Sequence, residues 1–488
     1  MRRPLAPMLP LLLLAAAAMC ASALDVRIDL RDWPVQLGPE TQLFVDDFLV
    51  AQQSGIAFRL HQPEKYAANP LITPSPAWER LVLCYGSVLR DSSTGGFRMW
   101  YTNDTGIAYA TSPDGLHWKK PLVGMNLSGH ATNVLTKGHR GRSDTLTVLE
   151  NPDRSDPARR YLAFPFEYRY PDKDGIHEQR REGIYMRTSP DGIHWTERPD
   201  PIMYSEWRNR ADQPGNTNAV LSDVNEITWD PKLHRFMGYV KLAFDGVRTR
   251  GLTESPDALH WAAPHLILRA DSRDRPGDQI YSMIAFPYES LWLGFIGLYH
   301  AGTDDRMDIQ LVSSRDGRVW ERRFREPFLP NGPEGSWDWG VLHMAANAPL
   351  LQRGKLYIYY GGLGTRHNVK LRNARQMGIG LATLRPDGFV SADSGDRPGT
   401  LVTRPLDFAG NRLHVNAAVR PGGEIRVSVL DRHYAPLAGY ASLPVSGDGV
   451  DLPVRWRGAA DLREAREAGS VRLRFEMKAA SLFGFRID

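Results

Sequence analysis

An eight-residue pattern that returns along the chain is the feature that most constrains its fold. It joins Ser-Pro-Asp-Gly, or a close variant, to a tryptophan four residues after the aspartate. The copies are TSPDGLHW (111–118), TSPDGIHW (188–195), ESPDALHW (254–261) and SSRDGRVW (313–320). Successive tryptophans, at 118, 195, 261 and 320, are therefore 77, 66 and 59 residues apart. Such a period is typical of architectures built by repeating one supersecondary unit.

Each copy closes a similar series of short apolar runs. In the first unit these runs are LVLCYGSVL, FRMWYT and GIAYATS, and a fifth series ends in RPDGFV (385–390) without the tryptophan. Short apolar runs bounded by turn residues and repeated in this way predict four-stranded antiparallel blades. The sequence therefore predicts an all-β protein with a five-bladed β-propeller. A stack of β-sandwiches is the alternative, but the uniform strand order favours the propeller.

The residue types of the pattern are those of a turn. Proline fixes φ, aspartate accepts bonds from nearby backbone N–H groups, and glycine supplies positive φ. The histidine beside the tryptophan occurs in three units only, as His117, His194 and His260. These copies belong to different units and cannot converge on one substrate. We interpret the pattern as the turn before the last strand of a blade, with its tryptophan packed between blades.

The first 23 residues have the pattern of a secretory signal peptide. Arg2 and Arg3 precede an apolar stretch, and ASA (21–23) supplies the small residues of a cleavage site. We expect a secreted or periplasmic protein, without a membrane span after cleavage, because no later apolar run reaches about 18 residues. Loss of the two arginines lowers the formal charge from +4 to +2. No block of one charge sign is present, so no nucleic-acid partner is predicted.

The cysteines and the composition after residue 395 predict how the exported chain is organised. Of its two cysteines only Cys84 would remain, which excludes an intramolecular disulfide and leaves stability to the core. A turn-rich linker, SADSGDRPGT (391–400), precedes alternating apolar segments. We therefore predict a propeller over 24–395 and an accessory β-sandwich over 396–488.

Acidic residues at the start of each unit are the candidates for chemistry. The first strand of each blade lines the central channel, so acids at or just before these strands can meet. Glycosidic cleavage needs one protonated carboxyl group and a second, charged one, and crowding separates their pKa values. The catalytic candidates are Asp144, Asp223, Glu226 and Glu79, and the substrate-binding candidates are Asp278, Asp338, Trp337, Arg142 and His343.

The non-acidic candidates have structural alternatives. Trp337 flanks Asp338 and suits either sugar stacking or packing, and His343 suits either a channel ligand or a core position. Arg142, close to Asp144, suits contact with a hydroxyl or carboxylate. No phosphate-binding loop, dinucleotide fingerprint or zinc spacing occurs, so no cofactor and no metal are predicted as requirements.

Four segments carry a resemblance to a known group of enzymes. They are QLFVDDFLV (42–50), NPLITPSPAWE (69–79), FRMWYTNDTGIAYATSPDGLHW (97–118) and IGLATLRPDGFVS (379–391). The chain resembles the five-bladed propeller glycoside hydrolases over roughly residues 41–395. These include secreted β-fructosidases, the arabinofuranosidase/xylosidase group and β-mannoside phosphorylases. The first segment is similar to the opening of a secreted, family-32-like branch.

The resemblance implies roles by position in the chain. Such enzymes use an acid of the first blade as nucleophile or base, an aspartate of the second to tune it or hold the sugar, and a third-blade acid as proton donor. The matching positions are Glu79 or the Asp46/Asp47 pair, then Asp144, then Glu226 or Asp223. The β-fructosidase motifs WMNDP, RDP and EC are absent, so fructan specificity does not follow.

Three functions fit these observations. The first is a secreted glycoside hydrolase with a carbohydrate substrate, which predicts that the acids cluster at one mouth of the channel. The second is a non-catalytic carbohydrate-binding or scaffold propeller, in which aromatic residues line the channel and the acids are paired with arginines. The third is a glycoside phosphorylase, which needs a cationic phosphate pocket. Sequence leaves the oligomeric state open.

Overall fold

Strands dominate the computed structural model, which describes residues 32–75, 77–138, 145–167, 182–205, 219–244, 246–369 and 376–488. The helices among these residues are α1 (Arg463–Glu467) and a 3-10 turn at Pro157–Arg159. The all-β prediction is confirmed. In the described ranges, no helix has the length and apolar character needed to cross a membrane.

The strands before the first repeat unit do not belong to it. They are β1 (Val35–Gln36), β2 (Gln42–Leu43), β3 (Val50–Ser54), β4 (Ile56–Leu60) and β5 (Glu64–Lys65). The first four pair with C-terminal strands, and β5 pairs with a strand of the fifth unit.

Units 1 and 2 follow, each an antiparallel group. Unit 1 contains β6 (Val82–Leu83), β7 (Val88–Arg90), β8 (Phe97–Asn103), β9 (Gly106–Ser112), the hairpin β10 (Asn126–Leu127) and β11 (His130–Ala131), and β12 (Val134–Lys137). Unit 2 contains β13 (Leu146–Glu150), β14 (Tyr161–Glu167), β15 (Gly183–Ile184), β16 (Arg187–Ser189), β17 (Thr196–Glu197) and β18 (Met203–Tyr204).

Units 3 to 5 have longer strands. Unit 3 contains β19 (Ala219–Leu221), β20 (Glu226–Asp230), β21 (Arg235–Phe244), β22 (Val247–Ser255) and β23 (His265–Leu268). Unit 4 contains β24 (Gln279–Tyr288), β25 (Leu291–Tyr299) and β26 (Met307–Ser314). Unit 5 contains β27 (Val341–Met344), β28 (Leu350–Gln352), β29 (Lys355–Leu363) and β30 (Met377–Leu384), with β5 paired at its outer edge.

The repeated pattern forms the turn that its residues predict. In the first copy the Asp114 carboxylate accepts backbone N–H bonds from Leu116 and His117, each at 2.9 Å, and the Ser112 hydroxyl accepts one from Gly115 at 2.8 Å. Gly115 has φ +79°. The other three copies repeat the bonds from aspartate to backbone. The histidines lie exposed on these turns, away from one another in different units.

These turns also join neighbouring units. In three of them the carbonyl of the glycine accepts a hydrogen bond from an aromatic side chain of the preceding unit: Tyr359 to Gly115 at 2.8 Å, Trp100 to Gly192 at 2.7 Å and Tyr239 to Gly317 at 2.7 Å. The first of these bonds links unit 5 back to unit 1. The other two bonds join units 1 and 2 and units 3 and 4.

One narrow cavity, with a volume of about 20 Å³, is lined by residues from all five units. Its lining includes Tyr85, Thr145, Val224, Ser282 and His343, which belong to units 1 to 5 in that order. Each lies in or just before the first main strand of its unit. The first strands therefore converge on the ring centre, as a propeller requires.

The C-terminal strands form a separate sheet. They are β31 (Val390–Ser394), β32 (Gly399–Thr403), β33 (Leu406–Asp407), β34 (Leu413–Asp431), β35 (Pro436–Ala441), β36 (Asp448–Pro453) and β37 (Val471–Ile487), and β1 to β4 complete the sheet. Its own apolar core includes Phe44 from the N-terminal strands and Phe475 from β37. The predicted boundary between residues 395 and 396 falls inside this sheet, because β31 pairs with both β37 and β4.

Candidate active site at the mouth of the central cavity

A strained backbone segment of unit 3 stands at one end of the cavity. Val224 has φ +75°, a left-handed conformation that a β-branched residue rarely adopts. Its carbonyl accepts a bond from Arg250 Nη1 at 3.0 Å, and the next residue, Asn225, accepts one from the backbone N–H of Lys241 at 2.8 Å. Strain of this kind costs roughly 1–3 kcal/mol and is concentrated at functional sites. It fixes the direction of the preceding residue, Asp223.

Asp223 is the acid that directly precedes the cavity residue Val224 in the chain. Its carboxylate forms an ion pair with the Lys241 ammonium group. The Asp223 side chain is 23% exposed, whereas that of Lys241 is 3% exposed. Burial lowers the pKa of Lys241, and Asp223 opposes that shift. The pair therefore combines a charged carboxylate open to ligands with a cation that ligands do not reach.

Tyr281 of unit 4 forms the centre of the mouth because its strand is bulged there. In the pairing of β24 with β25, Ile280 faces Leu298 and Ser282 faces Gly297. Tyr281 is therefore the extra residue of a β-bulge. Bulges redirect a side chain and are frequent next to active sites.

Four basic or imidazole side chains surround the Tyr281 ring. Lys241 Nζ lies 4.2 Å and Arg248 Cζ 5.5 Å from the ring centroid. The ring centroids of His367 and His343 lie 4.8 and 6.2 Å from it. The Tyr281 ring is therefore buried beneath these side chains, and the partly exposed Asp223, Arg248 and His367 form the surface that a polar ligand can meet.

His343, a predicted substrate-binding residue, lies buried on the cavity wall. Its Nε2 is 3.0 Å from the Tyr85 hydroxyl. Burial, together with the neighbouring His367 and Lys241, lowers the pKa of His343 to about 3. The imidazole is therefore neutral at physiological pH. Its buried Nδ1 has no hydrogen-bond partner among the described residues.

The predicted first-unit acids lie elsewhere. Glu79 accepts bonds from Tyr101 at 2.7 Å and Asn103 at 3.2 Å and forms an ion pair with Lys120, two residues after the closing tryptophan of unit 1. The alternative, Asp46, forms a two-pronged pair with Arg315 at 2.8 and 2.5 Å. Neither acid lines the cavity.

Glu226 lies between units 3 and 4. Its carboxyl group accepts the backbone N–H of Ala285 at 2.5 Å. Burial raises the pKa of Glu226 well above its ordinary value, against the opposing effects of Ala285 and Arg250. A protonated acid is available here, but its 2% exposure places it out of reach of a ligand.

Asp278 takes part in a buried chain of three side chains. His300 bridges Asp278 and Asp308, with 3.0 Å from each imidazole nitrogen to a carboxylate oxygen. Burial alone would lower the pKa of His300, but the hydrogen bonds and charges of Asp308 and Asp278 raise it. This imidazole bridge occupies the Asp278 oxygen that faces it.

Asp338 and Trp337 lie toward the outer edge of unit 5. Lys65 of β5 pairs with Asp338 at 2.6 Å, and the Tyr360 hydroxyl donates to the same oxygen at 3.1 Å. Trp337 stacks on the Tyr360 ring with centroids 5.4 Å apart. Both contacts are with protein groups, which fits the packing alternative for Trp337.

Two predicted residues, Asp144 and Arg142, lie outside the described residues. Thr145, which follows Asp144 in the chain, lines the cavity. Of the predicted acids that are described, Asp223 is the one that contacts the groups around Tyr281.

Sequence reasoning missed five residues at the mouth: Lys241, Arg248, Tyr281, Tyr299 and His367. One signal was present, since Lys241 interrupts the otherwise apolar run YVKLAF (239–244). A lysine in such a run is buried only when it is paired. Within the described ranges, no three His, Cys, Asp or Glu side chains are grouped to hold a metal ion.

Comparisons with known proteins find likeness at the level of structure. No protein-family model matches the sequence, and no curated protein matches it. An N-acetylgalactosamine deacetylase from F. plautii, solved with blood group B trisaccharide, is 16% identical with a TM-score of 0.44, over 68% of this chain and 96% of that one. A glycosyl hydrolase from Bacteroides ovatus is 15% identical with a TM-score of 0.45, over 67% and 94%.

A third similar structure comes from the GH130 family of mannoside phosphorylases. That family contains glycoside hydrolases that target β-1,2 mannosidic linkages in Candida mannan. This structure is 16% identical with a TM-score of 0.44, over 69% of this chain and 97% of that one. Values this low transfer no activity to the present chain.

Proposed function

We propose that this protein is a secreted or periplasmic glycoside hydrolase that binds a carbohydrate at the mouth of the central cavity. In this proposal the five units are the blades of a β-propeller, and the C-terminal sheet is an accessory β-sandwich that braces it. The observation that carries the proposal is that Val224, whose φ is positive, lines the cavity where residues of all five units meet, and the residue before it, Asp223, carries a partly exposed carboxylate.

The surroundings of Asp223 support a sugar ligand. Asp223, Arg248 and His367 are partly exposed beside the buried Tyr281 and offer a carboxylate acceptor and N–H donors. Sugars are recognised by convergent hydrogen-bonding groups of this kind. No cofactor is needed for the reaction.

The proposed chemistry uses two carboxyl groups. The Lys241 ammonium stabilises the charged form of Asp223, which suits it to act as nucleophile, or as base on a water molecule. We assign the complementary proton donor to Asp144. The donor protonates the leaving glycosidic oxygen as the bond to the anomeric carbon breaks, and Asp223 or its activated water attacks that carbon.

The test is a panel of aryl glycosides with the wild-type protein, Asp223→Asn and Asp144→Asn. We expect wild-type turnover on at least one glycoside and a loss of about 10²-fold or more in either variant. Glu150→Gln is the matched control, because Glu150 is also a partly exposed acid (28%) paired with a cation, Arg154, but it is distant from the mouth in unit 2. Equal turnover in wild type and Asp223→Asn would overturn the assignment.

A second candidate is a carbohydrate-binding propeller without catalysis. The observation that favours it is that the described candidate acids Glu79, Asp223, Asp278 and Asp338 each have a cationic or imidazole partner. It predicts that a glycan array shows binding by the wild-type protein while the panel shows no turnover.

A further inference from the structure

Arg248 is a guanidinium group at the mouth that has no acidic partner in the part of the chain that the structure describes. It lies on β22, with Cζ 5.5 Å from the centroid of Tyr281 and 5.3 Å from that of Tyr299. Its Nη1 donates to the side-chain oxygen of Gln279 at 2.8 Å. No carboxylate of the described residues pairs with it. Arg250, two residues along the strand, is instead buried and bonded to backbone carbonyls.

The hydrogen bond from Nη1 to Gln279 determines which edge of the Arg248 guanidinium group remains available to a ligand. Gln279 binds Nη1 and the rings of Tyr281 and Tyr299 lie near the guanidinium group, so its plane is fixed. The Nε and Nη2 donors have no partner among the described residues. These two parallel N–H groups match the two oxygens of a carboxylate.

The other charges nearby are already engaged. Lys241 is paired with Asp223. Asp305 accepts bonds from the Tyr299 hydroxyl at 2.7 Å and from Asn368 at 2.6 Å. Among the described charged residues at the mouth, Arg248 is therefore the cation without a direct counter-ion.

The charge of Arg248 affects the pKa of one of the two imidazoles around Tyr281. Burial, followed by the charge of Arg248, lowers the pKa of His367 to about 4. His343 and His367 are therefore neutral near pH 7 and add no positive charge. An anion bound at Arg248 meets one cation and several neutral donors, which favours a single negative group carried on a polar ligand.

We propose that Arg248 binds the carboxylate of a uronic acid residue, so that the substrate class is an acidic glycan. This inference rests on the proposed function in one respect, that the mouth binds a sugar. In this arrangement the Nε–Nη2 edge of Arg248 donates two parallel hydrogen bonds to the carboxylate of the sugar.

The test measures binding of matched pairs of methyl glycosides by isothermal titration calorimetry. Each pair has the same ring as a uronate and as the neutral sugar: glucuronate and glucose, galacturonate and galactose, mannuronate and mannose. We expect the wild-type protein to prefer one uronate over its neutral partner by about 10-fold or more, as for one charge-assisted pair of hydrogen bonds. The preference should shrink as salt is raised, because the ion pair is partly exposed.

Arg248→Gln should bring the ratio within the preferred pair close to one, and Arg248→Lys should retain part of it. Arg235→Gln removes an arginine of the same unit that is paired with Glu254, and should leave the ratio as in the wild type. If Arg248→Gln does not fold, as judged by circular dichroism, the lysine variant and the salt dependence of the wild type decide the question.

The outcomes separate this inference from the proposed function. Turnover of a neutral glycoside that depends on Asp223, with no preference for any uronate, would overturn the inference and leave the hydrolase proposal standing. Uronate binding that depends on Arg248 without any turnover would support the inference and count against the hydrolase. Tighter binding of the 6-sulfated sugar, or of inorganic phosphate, than of the uronate would overturn the carboxylate assignment. Failure of every sugar to bind would overturn both.

Discussion

Aspartate has two uses in this molecule. One is in the repeated Asp-Gly turns, here called the rim turns, and the other is at the mouth, where Asp223 lies. Asp114 takes its hydrogen bonds from residues two and three positions further along the chain. Asp223 instead pairs with Lys241, 18 residues away on β21, and precedes a residue with positive φ. Local contacts that return in several units build the ring, whereas long-range contacts that occur in one unit define a site.

The pKa shifts in the two regions also differ in whether their causes are local or distant in sequence. Burial disfavours the charged form of Asp114, but its hydrogen bonds from His117 and Leu116 lower its pKa well below the ordinary value. All of those donors belong to the same turn. At the mouth, the pKa values of His343 and His367 are lowered by burial and by cations from other strands. Four experiments test this contrast.

The largest expected effect is on stability at the rim. Gly192 has φ +78°, and a Cβ there would lie 2.6 Å from Cζ2 of Trp100 in the neighbouring unit. Gly192→Ala should lower the free energy of unfolding by about 2–3 kcal/mol, measured by urea denaturation. Gly95→Ala is the control, because Gly95 has φ +73° with open space around it, and should cost about 1 kcal/mol. Equal losses of unfolding free energy in the two variants would mean that the close packing of Gly192 on Trp100 does not stabilise the contact between the units.

The second effect is the pH dependence that the mouth confers. His343 resists protonation in the folded protein down to about pH 3, but protonates near pH 6.5 when unfolded. The free energy of unfolding should therefore fall as the pH drops below 6.5, by about 2 kcal/mol at pH 5.0 from this residue. His343→Phe should remove that contribution, seen as a flatter plot of stability against pH. An unchanged slope between pH 5 and 6.5 would contradict the burial of His343.

The third effect tests the strained backbone. Replacing a buried valine by glycine normally costs about 3 kcal/mol through lost packing and added chain entropy. Val224→Gly should cost at least about 1 kcal/mol less than Val312→Gly, because glycine relieves the strain at φ +75°. Val312, on β26, is buried in a regular strand and serves as the control. Thermal unfolding of both variants gives the difference, and a larger loss at position 224 would argue against strain.

The smallest effect is expected at the rim aspartates. Asp114→Asn keeps one acceptor oxygen and loses only a partly exposed charge, so its cost should stay below about 1 kcal/mol. Asp191→Asn and Asp257→Asn should give the same small loss, since their bonds repeat those of Asp114. Thermal shift assays suffice. A large loss at one copy alone would show that the turns are not equivalent.

The sequence was sufficient for the features that depend on local chemistry. The Asp-Gly turns and their exposed histidines follow from bonds within a few residues, and the all-β class follows from the alternating runs. The site depends on register instead. Asp223 and Glu226 are three residues apart with the positive φ of Val224 between them, and one is partly exposed whereas the other is buried between units 3 and 4.

Long-range pairing explains the remaining differences between expectation and structure. No local pattern indicates that Lys120 neutralises Glu79 or that Lys65 neutralises Asp338, since the partners are 41 and 273 residues apart. Tyr281 reaches the mouth because its strand is bulged, which depends on the pairing with β25. The assignment of residues 35–60 to the C-terminal sheet likewise depends on strands that are distant in sequence.

The two places where the ends of the chain meet have a consequence for folding. Strand β5 pairs with β30, where Lys65 faces Ala382, and β2 pairs with β37, where Gln42 faces Phe485. Closing loops of this length has a large entropic cost before any contact forms, so the ring should close late and slowly. During synthesis on the ribosome, β1 to β5 must wait for nearly the whole chain. Their unpaired edges need protection in that interval, and a chain cut short before β30 would leave them permanently exposed.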